Sequence, residues 1–272
     1  MQKFSASPGV MFSSVVQNRA LIVALIKREV IGRYRGSFMG ILWSFFNPIV
    51  MLAIYTFVFS FIFNSRWTAA SDSKAEFALI LFAGLMVFNL FSECVTRAPS
   101  LIISNANYVK KVVFPLEILP CVIVGASLFH ALVSLIVWLI AYSFAFGLPP
   151  VTLFYLPLVI APLLLIILGL SWGLASIGVY MRDVAHFIGL VTTGLMFLAP
   201  IFYPATAVPE EYRSYLQFNP LTTAVEGVRN VLFWGVQPDW QVLGIYAGVG
   251  VFVAYIGFAW FQKTRKGFAD VL

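Results

Sequence analysis

The stretch LPLVIAPLLLIILGLSWGLASIGVY, Leu156 to Tyr180, is apolar on every face and long enough to cross a bilayer as a helix. A barrel strand alternates apolar and polar positions because its inner face is wet, so this unbroken run reads as a membrane helix. A second stretch, YTFVFSFIF from Tyr55 to Phe63, points the other way, with an aromatic at every second position. Strict alternation is a strand pattern. A lone strand among membrane helices would leave its backbone N–H and C=O groups unpaired in hydrocarbon. YTFVFSFIF is therefore expected to be the second half of a helix.

Composition agrees. The 272 residues are 61% hydrophobic and 10% charged, with 27 phenylalanines and a mean hydropathy of +0.94. Soluble domains carry about 25% charged residues, so the chain is an integral membrane protein. Runs of about 20 apolar residues predict an all-α fold with six spans: Phe38–Phe63, Phe77–Val95, Cys121–Phe146, Leu153–Tyr180, Val184–Tyr203 and Val242–Phe261. No fixed-period repeat or low-complexity linker interrupts them, which predicts one membrane domain over residues 1–272, with 1–36 as a cytoplasmic N-terminus.

Basic residues fall mostly on one side of these spans: Lys3, Arg19, Lys27, Arg28, Arg33 and Arg35, then Arg97, Lys110, Lys111, Arg182, Lys263, Arg265 and Lys266. The other side has Arg66, Lys74, Arg213 and Arg229 among six acidic residues. The positive-inside rule then predicts cytoplasmic termini. The net charge of +6 is a topology signal and not a nucleic-acid footprint. The early run ALIVALI is followed by KREV, without the small residues of a signal-peptidase site, so cleavage is not expected. Cys94 and Cys121 fit neither a zinc motif nor a disulfide framework and should be free thiols.

Chemistry is thinly represented. Glu93 and Arg97 are spaced for a helical i,i+4 ion pair. His130 lies alone in its span and reads as a neutral histidine bonded to a backbone carbonyl, with a proton relay as the other reading. Asp183 in MRDV is placed to cap the fifth span. No catalytic set, metal motif or G-x-x-x-x-G-K-[ST] phosphate loop occurs, and the acidic residues of an ion-coupled carrier are missing from the spans. A passive channel or a transporter driven by a borrowed ATPase remains.

Three segments outside the spans favour the second. Ala20 to Arg35 places Val23, Ile26, Val30 and Tyr34 on one side of a basic helix suited to the headgroup interface. SLIISNANYVKKVVFPLEILP is too long for a turn and too polar to span, and it predicts a short helix offering Tyr108, Lys110 and Lys111 to a partner. PATAVPEEYRSYLQFNPLTTAVEGVRNVLFWGVQPDW predicts two short helices dipping into the outer leaflet, with Asn219 capping a helix that begins at Pro220. Small residues one turn apart, Gly32/Gly36/Gly40, Gly169/Gly173 and Gly244/Gly248, are spaced for close helix contact.

At RYRGSFMGILWSFFNPIVMLAIYTFVF, NANYVKKVVFPLEILP and NPLTTAVEGVRNVLF the chain resembles the membrane subunit of bacterial polysaccharide ABC exporters of the ABC-2 superfamily. These move O-antigen, capsule or teichoic-acid polymers, an O-antigen permease being the first expectation within the family, and the resemblance covers nearly the whole chain. It implies an inner-membrane homodimer joined to two cytoplasmic ATP-binding subunits, which hold the ATP and Mg, with a lipid-linked polysaccharide as substrate. No cofactor is implied in this chain. Ala20–Arg35 would be an interface or gate helix. Asn105–Val113, with Asn105, Asn107, Tyr108, Lys110 and Lys111, would be the coupling helix. Pro220–Phe233, with Asn219, Pro220, Glu226 and Arg229, would be the external gate. Lys27, Arg28, Arg33 and Arg35 would meet anionic headgroups or the pyrophosphate of the lipid carrier, since a guanidinium fork suits phosphate. Two rivals stay open, an ABC exporter of drugs or lipids and a membrane enzyme acting on lipid-linked sugars. Along YTFVFSFIF, Tyr55, Phe59 and Phe63 form one ridge and Phe57 and Phe61 another. The first ridge is expected to line the polymer's path, and the second to face lipid or neighbouring helices.

Overall fold

A computed structural model describes residues 7–58, 67, 74–110 and 114–272, the side chains of Lys74 and Gln217 apart. Among these residues every regular element is helical. Numbering those of two turns or more, they are α1 Pro8–Gln17, α2 Arg19–Arg33, α3 Trp43–Tyr55, α4 Lys74–Arg97, α5 Leu119–Phe146, α6 Leu156–Tyr180, α7 Val184–Leu198, α8 Glu210–Gln217, α9 Pro220–Arg229 and α10 Trp240–Thr264. Four residues of YTFVFSFIF, Tyr55 to Val58, are described and helical. Phe59, Phe61 and Phe63 lie outside the described residues, as do Arg66 and Lys111.

Among the described residues, five helical stretches are long and apolar enough to span: Gly40–Val58, Ala75–Ser104, Leu116–Phe146, Val151–Tyr180 and Trp240–Val271. A sixth is counted only if α1 and α2, bent by 66° at Asn18, are taken as one. The expected fifth span, Val184–Tyr203, is instead a 15-residue helix ending at Leu198, about 22 Å long at 1.5 Å per residue. Pro200 is the cause. The residue before a proline is pushed out of the helical region, and Ala199 is extended, with φ −88° and ψ 148°.

Helix α4 is the centre of the fold. Of its most apolar window, 83% is buried, against 6% for the span built on α3. Around α4 pack α5, α6, α7 and α9, while most of α3 is exposed among the described residues. Helices α6 and α10 make the most extensive pairing, and there glycine allows backbone to touch backbone. A Cβ at Gly257 would sit 2.0 Å from the Gly169 carbonyl oxygen, and one at Gly169 would sit 2.3 Å from that of Val253. The expected Gly169 contact thus exists and lies within the chain. Gly36 and Gly40 have φ of 83° and 53°, so they form turns before α3 and not a helical small-residue stripe.

Helix α2 keeps its expected facing at Ile26, Val30 and Tyr34 and departs from it at Val23. Ile22, Leu25 and Val30 are buried and Ile26 packs beside them, whereas Val23 is 64% exposed. The buried face meets Ile118 and Val122 at the start of α5. Gly125 admits Ile26 there, since a Cβ would fall 2.2 Å from the Ile26 Cδ1. Helix α2 is therefore docked on the bundle by its apolar face.

Candidate functional site

Three helices each carry polar residues at helical spacing, and the fold turns these stripes toward one another. They are Ser44, Asn47 and Tyr55 on α3, Asn89, Glu93 and Arg97 on α4, and Ser127, His130 and Ser134 on α5. Spacings of three and four residues bring such groups onto one helix face. With Arg33 and Tyr34 from the end of α2 they line a cleft of about 700 Å³. Most of these groups lie inside apolar spans, where polar side chains carry a cost and usually a function.

At one end of the cleft the charges form a chain. Arg33 donates to Glu93 at 2.5 Å, Arg97 meets the same Glu93 oxygen at 3.4 Å, and Arg97 also bonds Glu29. The i,i+4 pair of Glu93 and Arg97 is present, but Glu29 and Arg33, neighbours on α2, both reach across to α4. His130 does not bond a backbone carbonyl through its ring. Its Nδ1 lies 3.3 Å from the Tyr34 hydroxyl, with the two rings edge to face at 5.9 Å. Burial pushes the Tyr34 phenol above its ordinary pKa, ahead of the opposed influences of Arg33 and Glu93, so the un-ionised phenol faces the imidazole. Sequence reading paired Glu93 with Arg97, grouped Arg33 with the basic residues of α2, left His130 alone, and so missed the cluster. The matched polar stripes on three spans were the available signal.

The other expected site residues are dispersed. Tyr55 lines the cleft, and Phe57 is 60% exposed. Lys27 and Arg35 are exposed. Arg28 bonds the Tyr108 hydroxyl at 2.5 Å, so the four basic residues of α2 and its end serve different contacts and do not form one anion cluster. In the loop after α4, Asn105 bonds the Leu101 carbonyl at 2.9 Å, Ala106–Val109 forms one helical turn, Asn107 and Lys110 are exposed, and the Tyr108 ring stacks on Phe114 at 4.1 Å. Glu117 just beyond fastens that loop: it accepts from Arg265 at 2.5 Å and from Ser14 at 3.0 Å. Asp183 stands at the N-cap of α7 without a side-chain capping bond. Cys94 and Cys121 are free, as expected.

Asn219 caps α9 as expected, its side chain accepting from Leu221 N at 3.0 Å, and Pro220 is the first helical residue. At the other end of α9, Arg229 is wholly buried. Its guanidinium donates to the carbonyls of Ile80, Pro200 and Ile201 at 3.1, 2.5 and 2.7 Å and to Glu226 at 3.0 Å, and it lies 4.3 Å from the Trp67 ring centroid. Two of those carbonyls belong to the irregular backbone where α7 stops. Irregular backbone at membrane depth persists where protein satisfies it, and Arg229 does so here.

The profile of the ABC-2 type transporter family matches residues 20–233, a window that contains the cleft and the Arg229 anchor. The chain belongs to the ABC-2 type transporter family. This ABC-2 chain is 30% identical over 259 residues to the O-antigen export system permease protein RfbA of Myxococcus xanthus, covering 93% of this chain and 96% of that protein. It is 26% identical over 254 residues to the protein of the same name from Klebsiella pneumoniae, with 93% and 95% covered. It is 28% identical over 260 residues to the polysialic acid transport protein KpsM of Escherichia coli, with 91% and 94% covered. As an ABC-2 subunit with membrane-spanning helices, it is a multi-pass transport component and not an enzyme, and ATP hydrolysis belongs to a separate polypeptide.

Proposed function

We propose that this chain is the permease subunit of an inner-membrane exporter that moves a lipid-linked polysaccharide of the O-antigen class. The observation that carries the reading is similarity along nearly the whole chain to O-antigen permeases and, beside them, to a polysialic acid transporter. The cleft supports it. Its amides, hydroxyls and aromatic faces, Asn47, Asn89, Ser134, Trp43 and Tyr55 among them, suit a sugar, which offers hydroxyls at its rim and C–H groups on its faces.

Two copies act together, with two ATP-binding subunits carrying ATP and Mg. The sparse burial of α3 supports dimerisation, since its apolar surface is left for lipid or a second copy. Both termini are cytoplasmic, following the basic residues. Helix α2 works as the interface helix, the turn at Ala106–Val109 as the contact with the ATPase, and α9 with the turn after it as the outer gate. Purification tests the assembly. The tagged chain should bring down an ATP-binding subunit in a one-to-one ratio, and recovery of the chain without one would overturn the reading.

A further inference from the structure

The loop after α4 is held from both sides. On its outgoing arm Arg28 of α2 donates to the Tyr108 hydroxyl at 2.5 Å. Tyr108 lies flat on Phe114, with ring centroids 4.1 Å apart and planes at 6°. On the returning arm Arg265, just past α10, grips both backbone and side chain. One of its guanidinium nitrogens donates to the Phe114 carbonyl at 2.9 Å and the other to the Glu117 carboxylate at 2.5 Å. Helix α2, the two stacked rings and the end of α10 thus form one line of contacts across the loop.

The ends of that line differ in stiffness. The Arg28 bond is exposed, and α2 meets the start of α5 through a small apolar cluster. Arg265 stands on a braced segment. Thr264 before it makes a hydroxyl contact of 2.5 Å with Ser176 of α6 and accepts at its carbonyl from Tyr180 at 2.9 Å. Phe268 after it is fully buried, edge to face with Phe261 at 5.5 Å. Glu117 is fixed to the same scaffold, since its carbonyl accepts from Trp172 of α6 at 2.8 Å, and its carboxylate accepts from Ser14 of α1 at 3.0 Å. Arg265 and Glu117 each keep only 13% of the side chain exposed, and salt screens such a pair much less than one on open surface. The planar fork of arginine holds a carbonyl and a carboxylate at once, which a single ammonium does not match in geometry.

We propose that Arg265 and Glu117 are positioning residues for energy coupling: they fix the returning arm of the loop to the α6–α10 pair, so that a push on Ala106–Val109 is passed to α2. The inference rests on the reading of that turn as the ATPase contact and adds the fulcrum against which it works. With the Phe114 end held, the yielding end is Arg28, and a displacement of the loop reaches α2 and its bonds to α4.

The test uses the permease–ATPase complex in inverted membrane vesicles from a strain that makes the polymer, and it measures export per ATP hydrolysed together with complex recovery. Arg265→Gln and Glu117→Gln should each lower export per ATP by about tenfold, near the low end of what a hydrogen bond to a charged group is worth, with recovery close to wild type. The double variant should be no worse than the worse single one, because both changes remove the same interaction. Arg265→Lys keeps the charge and gives up one of the two bonds, so it should fall between, and it carries the test should a glutamine variant fold poorly. Wild-type export per ATP in all these variants, or a loss of export matched by an equal loss of recovered complex, overturns the positioning role. Tyr108→Ala with Lys110→Ala separates the failures. If that pair lowers recovery while the Arg265 and Glu117 variants couple normally, the fulcrum alone is removed. If it assembles and exports as the wild type does, the ATPase contact is misplaced and the fulcrum goes with it.

Discussion

Arg28 on α2 donates to the hydroxyl of Tyr108 at 2.5 Å, tying the helix that borders the cleft to the loop proposed to meet the ATPase. Arg28 is followed directly by Glu29 and, five positions on, by Arg33, which bond Arg97 and Glu93. A displacement of the loop therefore has a short mechanical route to the cleft. Tyr108→Phe removes the hydrogen bond and keeps the stack on Phe114. It should leave complex recovery unchanged and lower export per ATP hydrolysed by about twofold to fivefold, the scale of an exposed charged contact worth roughly 0.2–1 kcal/mol. Tyr108→Ala should weaken recovery as well. Wild-type coupling in Tyr108→Phe would disconnect the loop from α2.

Glu93 is the shared acceptor of Arg33 and Arg97. Neutralising it as Glu93→Gln should reduce export by about tenfold with the complex intact, because two guanidiniums lose the charge that orders them. Removing one of them as well, in Glu93→Gln with Arg33→Gln, should recover part of the loss. A double variant worse than the product of the two single effects would contradict a shared network.

The legible part of this architecture was the part set by hydrophobic length. Leu156–Tyr180 and Cys121–Phe146 read correctly because a run of that length has one stable form in a bilayer. The capping of α9 by Asn219 read correctly because it is local. Val184–Tyr203 did not, since its apolar composition hid the effect of Pro200 on Ala199, and Arg229, almost thirty residues on, satisfies the freed carbonyls of Pro200 and Ile201. The facing of α2 was legible at Ile26, Val30 and Tyr34 and not at Val23, because its partner, the start of α5, is set by tertiary packing through Gly125. The cleft was hidden for the same reason: Tyr55 and His130 were singled out separately, and with Asn89 they become a site only where three helices meet.

Arg229 should be required for folding more than for transport. Arg229→Lys has a point charge where four acceptors and a fork are needed, and breaking a buried charged set costs about 3–5 kcal/mol. Gly84→Ala should act in the same direction, because its Cβ would lie 2.7 Å from the Arg229 Nη2. Thermal denaturation in detergent reports both. An Arg229→Lys protein as stable as the wild type would show that the irregular backbone after α7 holds without the pin.

Tyr55 and Phe57 separate the two aromatic ridges within the described residues. Tyr55 borders the cleft and Phe57 is mostly exposed, so Tyr55→Leu should slow polymer export severalfold and Phe57→Leu should change it little. Export rates at matched expression decide. Equal tolerance of both changes, or a larger defect from Phe57→Leu, would remove the ridge from the path.

The central claim is export of a lipid-linked polysaccharide, and chemical analysis of glycan in cells deleted for this chain tests it most directly. The account predicts that a lipid-linked polymer accumulates on the cytoplasmic side while surface polymer falls, and that the wild-type chain restores both. Unchanged surface glycan with no internal accumulation, or accumulation of a small lipid or drug in place of a polymer, would contradict it.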